Sequence, residues 1–243
     1  MRASEASAGL VLSTTSCSGP IEIDPFHCRA LRSRKGLLTS GRLLDEAARR
    51  NGFRTRAWFV TLTYRDGVDW APRQVSAMFN HLRAWCRARG VVFRAQWCLE
   101  LTRRMRPHYH VIVWLPARLA LPKADKRGWW PHGMTQTVVA RSPVGYLAKY
   151  ASKFTPDCMA AMPKGARVSG VSGLEPEAAR EVRWWKAPAG ARELLGGLAD
   201  IRVAPGGRVD RVSGAFWRSP WRVTVDGGGR VFVQKVAEYT NAN

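Results

Sequence analysis

The chain has little of what would place a protein outside the cell or in a membrane. Its five cysteines, Cys17, Cys28, Cys86, Cys98 and Cys158, are odd in number and form no CxxC pair, which argues against a disulfide framework and against a zinc knuckle. No apolar run is long enough for a transmembrane helix, and the apolar stretch at 10–12 is too short for a secretory signal. A reducing cytoplasm is therefore the expected setting, with no membrane partner. The phosphate-binding pattern GxxxxGK[ST] is also missing, so no helicase motor is built into the chain. Acidic residues are scarce: 18 Asp and Glu stand against 39 Lys and Arg, for a formal charge of +21.

That charge is spread over all 243 residues and favours a polyanion. Nucleic acid fits best, because neutralised phosphates release counterions and give affinity without sequence readout. An anionic membrane surface fits less well, since no basic amphipathic helix with a clean apolar face stands out. With 46% hydrophobic residues the chain can bury a sizeable core.

The run AWFVTLTY at 57–64 is aromatic and β-branched and predicts a strand. Pro72 then opens a segment in which Val75, Met78, Phe79, Leu82 and Trp85 recur at helical spacing, up to Gly90. Two strand-like runs, 93–102 and 108–116, flank the connector RRMRP and should pair as a hairpin. MTQTVVA at 134–140 reads as a further strand. Ser142 and Pro143 read as N-cap and first residue of the helix VGYLAKYASKF. This order is α+β, an antiparallel sheet with helices laid on it. Three regions are expected: a basic, loosely ordered arm at 1–50, a central domain at 51–160, and an extension at 161–243 with no assigned role.

In His108-Tyr109-His110 the period of two puts both imidazoles on one face of a strand and Tyr109 on the other. A hairpin centred on Arg104 sets Glu100 opposite His108 on the imidazole face. Two imidazoles and a carboxylate can share a divalent ion and leave positions open for phosphate oxygens. Tyr146, Lys149, Tyr150 and Lys153 fall within an arc of roughly 100° on the helix that follows. A half-exposed helix whose tyrosines merely cover the sheet would give the same pattern.

Taken together, these motifs resemble the HUH endonuclease superfamily, within it the replication initiators of small single-stranded DNA phages and rolling-circle plasmids. FVTLTY at 59–64 is similar to that family's first motif, PHYHVIVWLP at 107–116 to its histidine motif, and GYLAKYASK at 145–153 to its tyrosine motif in the two-tyrosine class. The resemblance covers about residues 55–156. It implies an RRM-like antiparallel sheet, His108, His110 and Glu100 as ligands of Mg²⁺ or Mn²⁺, and Tyr146 or Tyr150 as a nucleophile that keeps the 5′ end of nicked DNA. Lys149 and Lys153 are then placed to stabilise the phenolate or the departing 3′ oxygen.

The implied partners are single-stranded DNA at an origin and, in a bacterial host cytoplasm, the helicase and polymerase of that host. Arg103, Arg104 and Arg106 are candidates to hold flanking phosphates, and Trp129 and Trp130 to stack on unpaired bases. A transposase or relaxase would use the same motifs. A non-catalytic DNA-binding regulator is the contrasting reading, and the intact histidines and tyrosines speak against it.

Overall fold

The computed structural model describes residues 19–50 and 54–236. In chain order the elements are β1 (Ile21–Ile23), α1 (Pro25–Arg50), β2 (Thr55–Leu62), α2 (Gln74–Arg87), β3 (Arg94–Leu101), β4 (Pro107–Pro116), β5 (Thr135–Val139) and α3 (Pro143–Ser152). There follow α4 (Pro156–Ala161), β6 (Ser169–Ser172), α5 (Pro176–Lys186), α6 (Ala189–Leu195), β7 (Ile201–Ala204), β8 (Gly207–Asp210), β9 (Phe216–Arg218), β10 (Trp221–Val225) and β11 (Val231–Lys235). The expected α+β class holds.

Two compact units are present. The smaller joins the residues up to Ile23 with those from Ser219 onward and contains a three-stranded antiparallel sheet in the order β1-β11-β10. The larger runs from Asp24 to Arg218. It holds a five-stranded antiparallel sheet, β5-β2-β4-β3-β6, and a second sheet of three short strands, β7-β8-β9.

Strand parity sorts the five-stranded sheet into two faces. On β4, His108, His110, Ile112 and Trp114 share one face, with Glu100, Cys98 and Gln96 of β3 and Thr61 and Phe59 of β2 opposite them in register. Tyr109, Val111, Val113 and Leu115 point the other way and are all buried. That second face is closed by α2, which buries Val75, Met78, Phe79, Leu82 and Cys86. Its first residue, Gln74, accepts a hydrogen bond from the Tyr64 hydroxyl, and Trp70 just before it donates to Tyr109. As the sequence predicts, Gly90 follows the helix with a positive φ of 64°, a conformation that costs glycine little.

The histidine face is covered by α1 and α3. α1 buries Leu37, Ser40, Gly41, Leu44, Ala47 and Ala48, a stripe at helical spacing. Each fully buried leucine in it stabilises the fold by about 1.5–3 kcal/mol. Gln96 donates to the Leu37 carbonyl (2.7 Å) and the Ser40 hydroxyl (2.8 Å), and Trp114 donates to Asp45 (3.0 Å). A Cβ at Gly41 would come within 2.2 Å of Leu147 Cδ1, so the glycine is what lets α3 lie this close to α1.

Three expectations need correction. Residues 1–18 lie outside the described residues, but Pro25–Arg50 of the expected loose arm form a 26-residue helix seated on the sheet. The extension after 160 is not separate either, because β6 pairs with β3 and supplies the sheet's fifth strand. Gly170 makes that pairing possible: a Cβ there would fall 2.5 Å from Trp97 Nε1. Finally, Ser142 occupies the N-cap of α3 and Pro143 its first turn, yet the Ser142 side chain makes no capping bond, and the helix stops at Ser152, before Phe154.

Candidate active site

The β3–β4 hairpin turns on Thr102, whose hydroxyl accepts from Arg106 N while its amide donates to the Arg106 carbonyl, with Met105 in the left-handed region at φ 58°. This turn fixes the register that pairs Glu100 with His108 and Cys98 with His110. Three donor atoms meet as a result. His108 Nε2 lies 2.8 Å from His110 Nε2, and Glu100 Oε2 lies 2.7 Å from the latter and 3.4 Å from the former. Ligands at about 2.1 Å on adjacent positions of an octahedral ion stand roughly 3 Å apart. The triangle therefore has the size of one face of such a shell, and these three residues can hold a metal ion.

The surroundings prepare the donors for that role. His110 is buried, and Glu100 and His108 are half-buried. Burial pushes the His110 imidazole below its ordinary value and so favours the neutral form that ligates, against the opposing pull of Glu100. Burial alone would raise the Glu100 carboxyl, but bonds from His108, His110 and Lys153 outweigh it and hold the group ionised well below the usual carboxylate range. His110 Nδ1 faces the Thr61 hydroxyl at 3.5 Å, an arrangement that leaves Nε2 as the lone-pair donor. His108 Nδ1 is buried without a hydrogen-bond partner.

α3 lays its tyrosines directly over this cluster. The Tyr150 ring stacks on His110 with centroids 3.8 Å apart, Tyr146 stacks on Phe59 at 4.8 Å, and Phe59 touches His110 and Tyr150 as well. The two phenols are not equivalent. Tyr150 is 8% exposed, and burial, with Glu100, Cys98 and Tyr146 nearby, pushes its hydroxyl up to about 12. Tyr146 is half-buried at the edge of the stack. The ammonium groups of Lys149 and Lys153 lie 5.8 and 5.2 Å from the Tyr150 ring centre. Lys153 also pairs with Glu100, a contact the sequence reading did not anticipate.

The basic turn opens onto a cleft of about 390 Å³ that is bounded by Arg103, Arg104, Arg106, Tyr64 and His108, so it borders the histidine cluster. Arg106 is tied to Asp66 and to the Arg65 carbonyl. The tryptophans depart from expectation. Trp130 is 1% exposed, donates to the Thr63 carbonyl and packs edge-on against Tyr64, Tyr109 and His132. It is a core residue with no face left for a base. Trp129 is half-buried against His81 and Trp85.

Sequence reasoning missed Phe59 and Thr61. Both sit at odd positions of β2, and the β2–β4 register turns them onto the histidine face. Their two-residue spacing inside FVTLTY was the available signal.

Among the described residues, no helix is long and apolar enough to cross a membrane, and Cys28, Cys86, Cys98 and Cys158 are free thiols. Comparison with curated proteins and with solved structures gave no match. Residues 57–155 match the family described as replication-associated protein ORF2. The matched span runs from within β2 to just beyond α3 and includes the Glu/His/His cluster and both tyrosines, so it supports a replication initiator with DNA as its partner.

Proposed function

We propose that the chain is a rolling-circle replication initiator of the two-tyrosine HUH type, which nicks and rejoins single-stranded DNA at an origin through a 5′-phosphotyrosine. One observation carries the reading. A ligand triangle of metal-binding size and two stacked tyrosines occupy the same face of the sheet, inside the span that resembles replication-associated proteins. A regulator that only bound DNA would need neither.

In this scheme Glu100, His108 and His110 hold Mg²⁺ or Mn²⁺, which would polarise the scissile phosphate and offset charge building on its oxygens. A tyrosine hydroxyl attacks phosphorus, the bond to the 3′ oxygen breaks, and that oxygen leaves as a 3′ hydroxyl after taking a proton. The 5′ phosphate stays on the tyrosine, so the energy of the bond is kept for rejoining. Tyr146 makes the first cut, because its hydroxyl is less enclosed than that of Tyr150. Tyr150, one helical turn away, serves the second transfer that closes the circle. Lys149 and Lys153 offer positive charge to the phenolate or the leaving oxygen, and Arg103, Arg104 and Arg106 line the path of the flanking strand.

The test is adduct formation with single-stranded origin DNA and Mn²⁺. A label on the 3′ end of the oligonucleotide should migrate with denatured protein and a label on the 5′ end should not. The adduct should vanish with chelator or in Tyr146→Phe/Tyr150→Phe. An adduct that forms unchanged in both conditions would reject the scheme.

A further inference from the structure

The basic side chains of α1 and α5 fall into two groups. Arg42 is held by Glu46 and Glu181, Arg49 by Asp45, and Arg183 by Asp200, while Arg29 and Arg34 donate to the carbonyls of Ala166 and Ser152. Arg32, Arg167 and Lys186 have no acidic partner among the described residues. They are nevertheless brought together. Lys186 ends α5 and lies across Gly36, where an added Cβ would stand 3.2 Å from its Cδ and 3.5 Å from its Nζ. Gly36 is one turn along α1 from Arg32. The bond from Arg29 to Ala166 (2.8 Å) fixes the loop carrying Arg167 against the same stretch of helix.

The electrostatics agree with this placement. Burial lowers the Lys186 ammonium from its ordinary value, and the charges of Arg32 and Arg167 lower it further; burial and then Arg32 lower Arg208 of β8 in the same sense. Like charges crowded in this way raise the energy of the folded chain unless an anion lies among them. At about 100° per residue, Arg32 is on the side of α1 roughly opposite Arg34 and Gly41, the residues that meet α3. The cluster is thus separated from the tyrosine helix by the width of α1, about 10 Å. All four residues lie outside the span 57–155.

We propose that Arg32, Arg167, Lys186 and Arg208 form a second phosphate-binding surface, which holds the backbone of single-stranded DNA away from the bond that is cut. The assignment of DNA as the occupant rests on the proposed function. On this view the segments flanking the catalytic span grip the strand without reading its sequence.

The experiment compares wild type with Arg32→Gln/Arg167→Gln/Lys186→Gln and with a control that loses three exposed charges elsewhere, Arg87→Gln/Lys123→Gln/Arg127→Gln. Affinity for a long single-stranded oligonucleotide is followed by anisotropy across a salt series. Loss of three phosphate contacts should make the slope of log affinity on log salt shallower by about 2, at about 0.7 per contact, and the control should change it little. Adduct formation on a saturating short oligonucleotide spanning only the cut should stay at the wild-type rate. Without DNA, the triple variant should melt no lower than wild type, since repulsion is relieved. An unchanged slope, or an equal change in the control, overturns the proposal. So does a stabilisation by inorganic phosphate that the triple variant loses while its DNA slope stays the same. Wild-type protein that binds DNA with the steep slope but forms no adduct would instead count against the nicking reading and leave this surface standing.

Discussion

The segment from β2 to α3 and the segments that wrap it are built on different logic. In the central segment every group proposed for chemistry is placed by a short-range rule: a period of two on β3 and β4, a five-residue turn between them, and a period near four on α3. The wrapping segments, α1 and the chain from α4 to β9, act through long-range contacts. Gln96 is bonded to α1, β6 edges β3, and Arg34 donates to the end of α3. Chemistry is thus written locally, and the support that keeps it in place is written across the chain.

The largest expected effect tests the local half of that contrast. His108→Ala and His110→Ala should each reduce adduct formation by about a thousandfold or more, since each removes one of three ligands, while DNA affinity falls little because it comes from dispersed Lys and Arg. Quantitative adduct assays beside anisotropy will separate the two. Nicking by the double variant at the wild-type rate in chelator would break the metal-site assignment.

The tyrosines sharpen the comparison within α3. Tyr146→Phe should slow the first cut by roughly a hundredfold and Tyr150→Phe by only severalfold, because burial pushes the Tyr150 hydroxyl up to about 12 and packs its ring on His110. Phenylalanine keeps both stacks, so folding should be intact. Mass spectrometry of the trapped peptide gives the answer directly: linkage found on Tyr150 alone would reverse the assignment.

A smaller effect probes the support. Gly41→Ala puts a methyl within 2.2 Å of Leu147 Cδ1 and should destabilise the protein by about 1–3 kcal/mol through overpacking. If α1 positions α3, Leu147→Val in the same chain should recover part of both the stability and the nicking rate. Loss of stability with no change in nicking would show that α3 finds its place without α1.

Legibility in the sequence follows the same division. The hairpin register, the shared face of Glu100, His108 and His110, and the tyrosine-bearing helix could all be read, because each depends on neighbours a few residues away. α1 could not be recognised by the same means. Its buried stripe passes through Ser40 and Gly41, and its other positions are dense with arginine, so the periodicity is masked by small and polar residues that only the packed partner explains. β6 is SGVS, a strand by pairing and not by composition. Trp130 was misjudged because its burial depends on Tyr64 and Tyr109, brought to it by the fold.

The smallest expected effect concerns Lys153, where the two logics meet. Its ammonium pairs with Glu100 and lies near the Tyr150 ring, so one cation serves the carboxylate from the end of the catalytic helix. A divalent ion ligated by Glu100 would compete with the ammonium for the carboxylate charge and repel it. Lys153 would then swing toward the phosphate, an adjustment that its half-exposed side chain permits. Lys153→Gln removes this competitor, so Mn²⁺ affinity should rise about threefold while the rate of nicking falls, a split that simple damage to the site would not give. Calorimetric titration of Mn²⁺ into the two proteins checks the first half and single-turnover cleavage the second. If Mn²⁺ binding weakened instead, Lys153 would be a prop that orients Glu100, and its positive charge would have no separate part in the reaction.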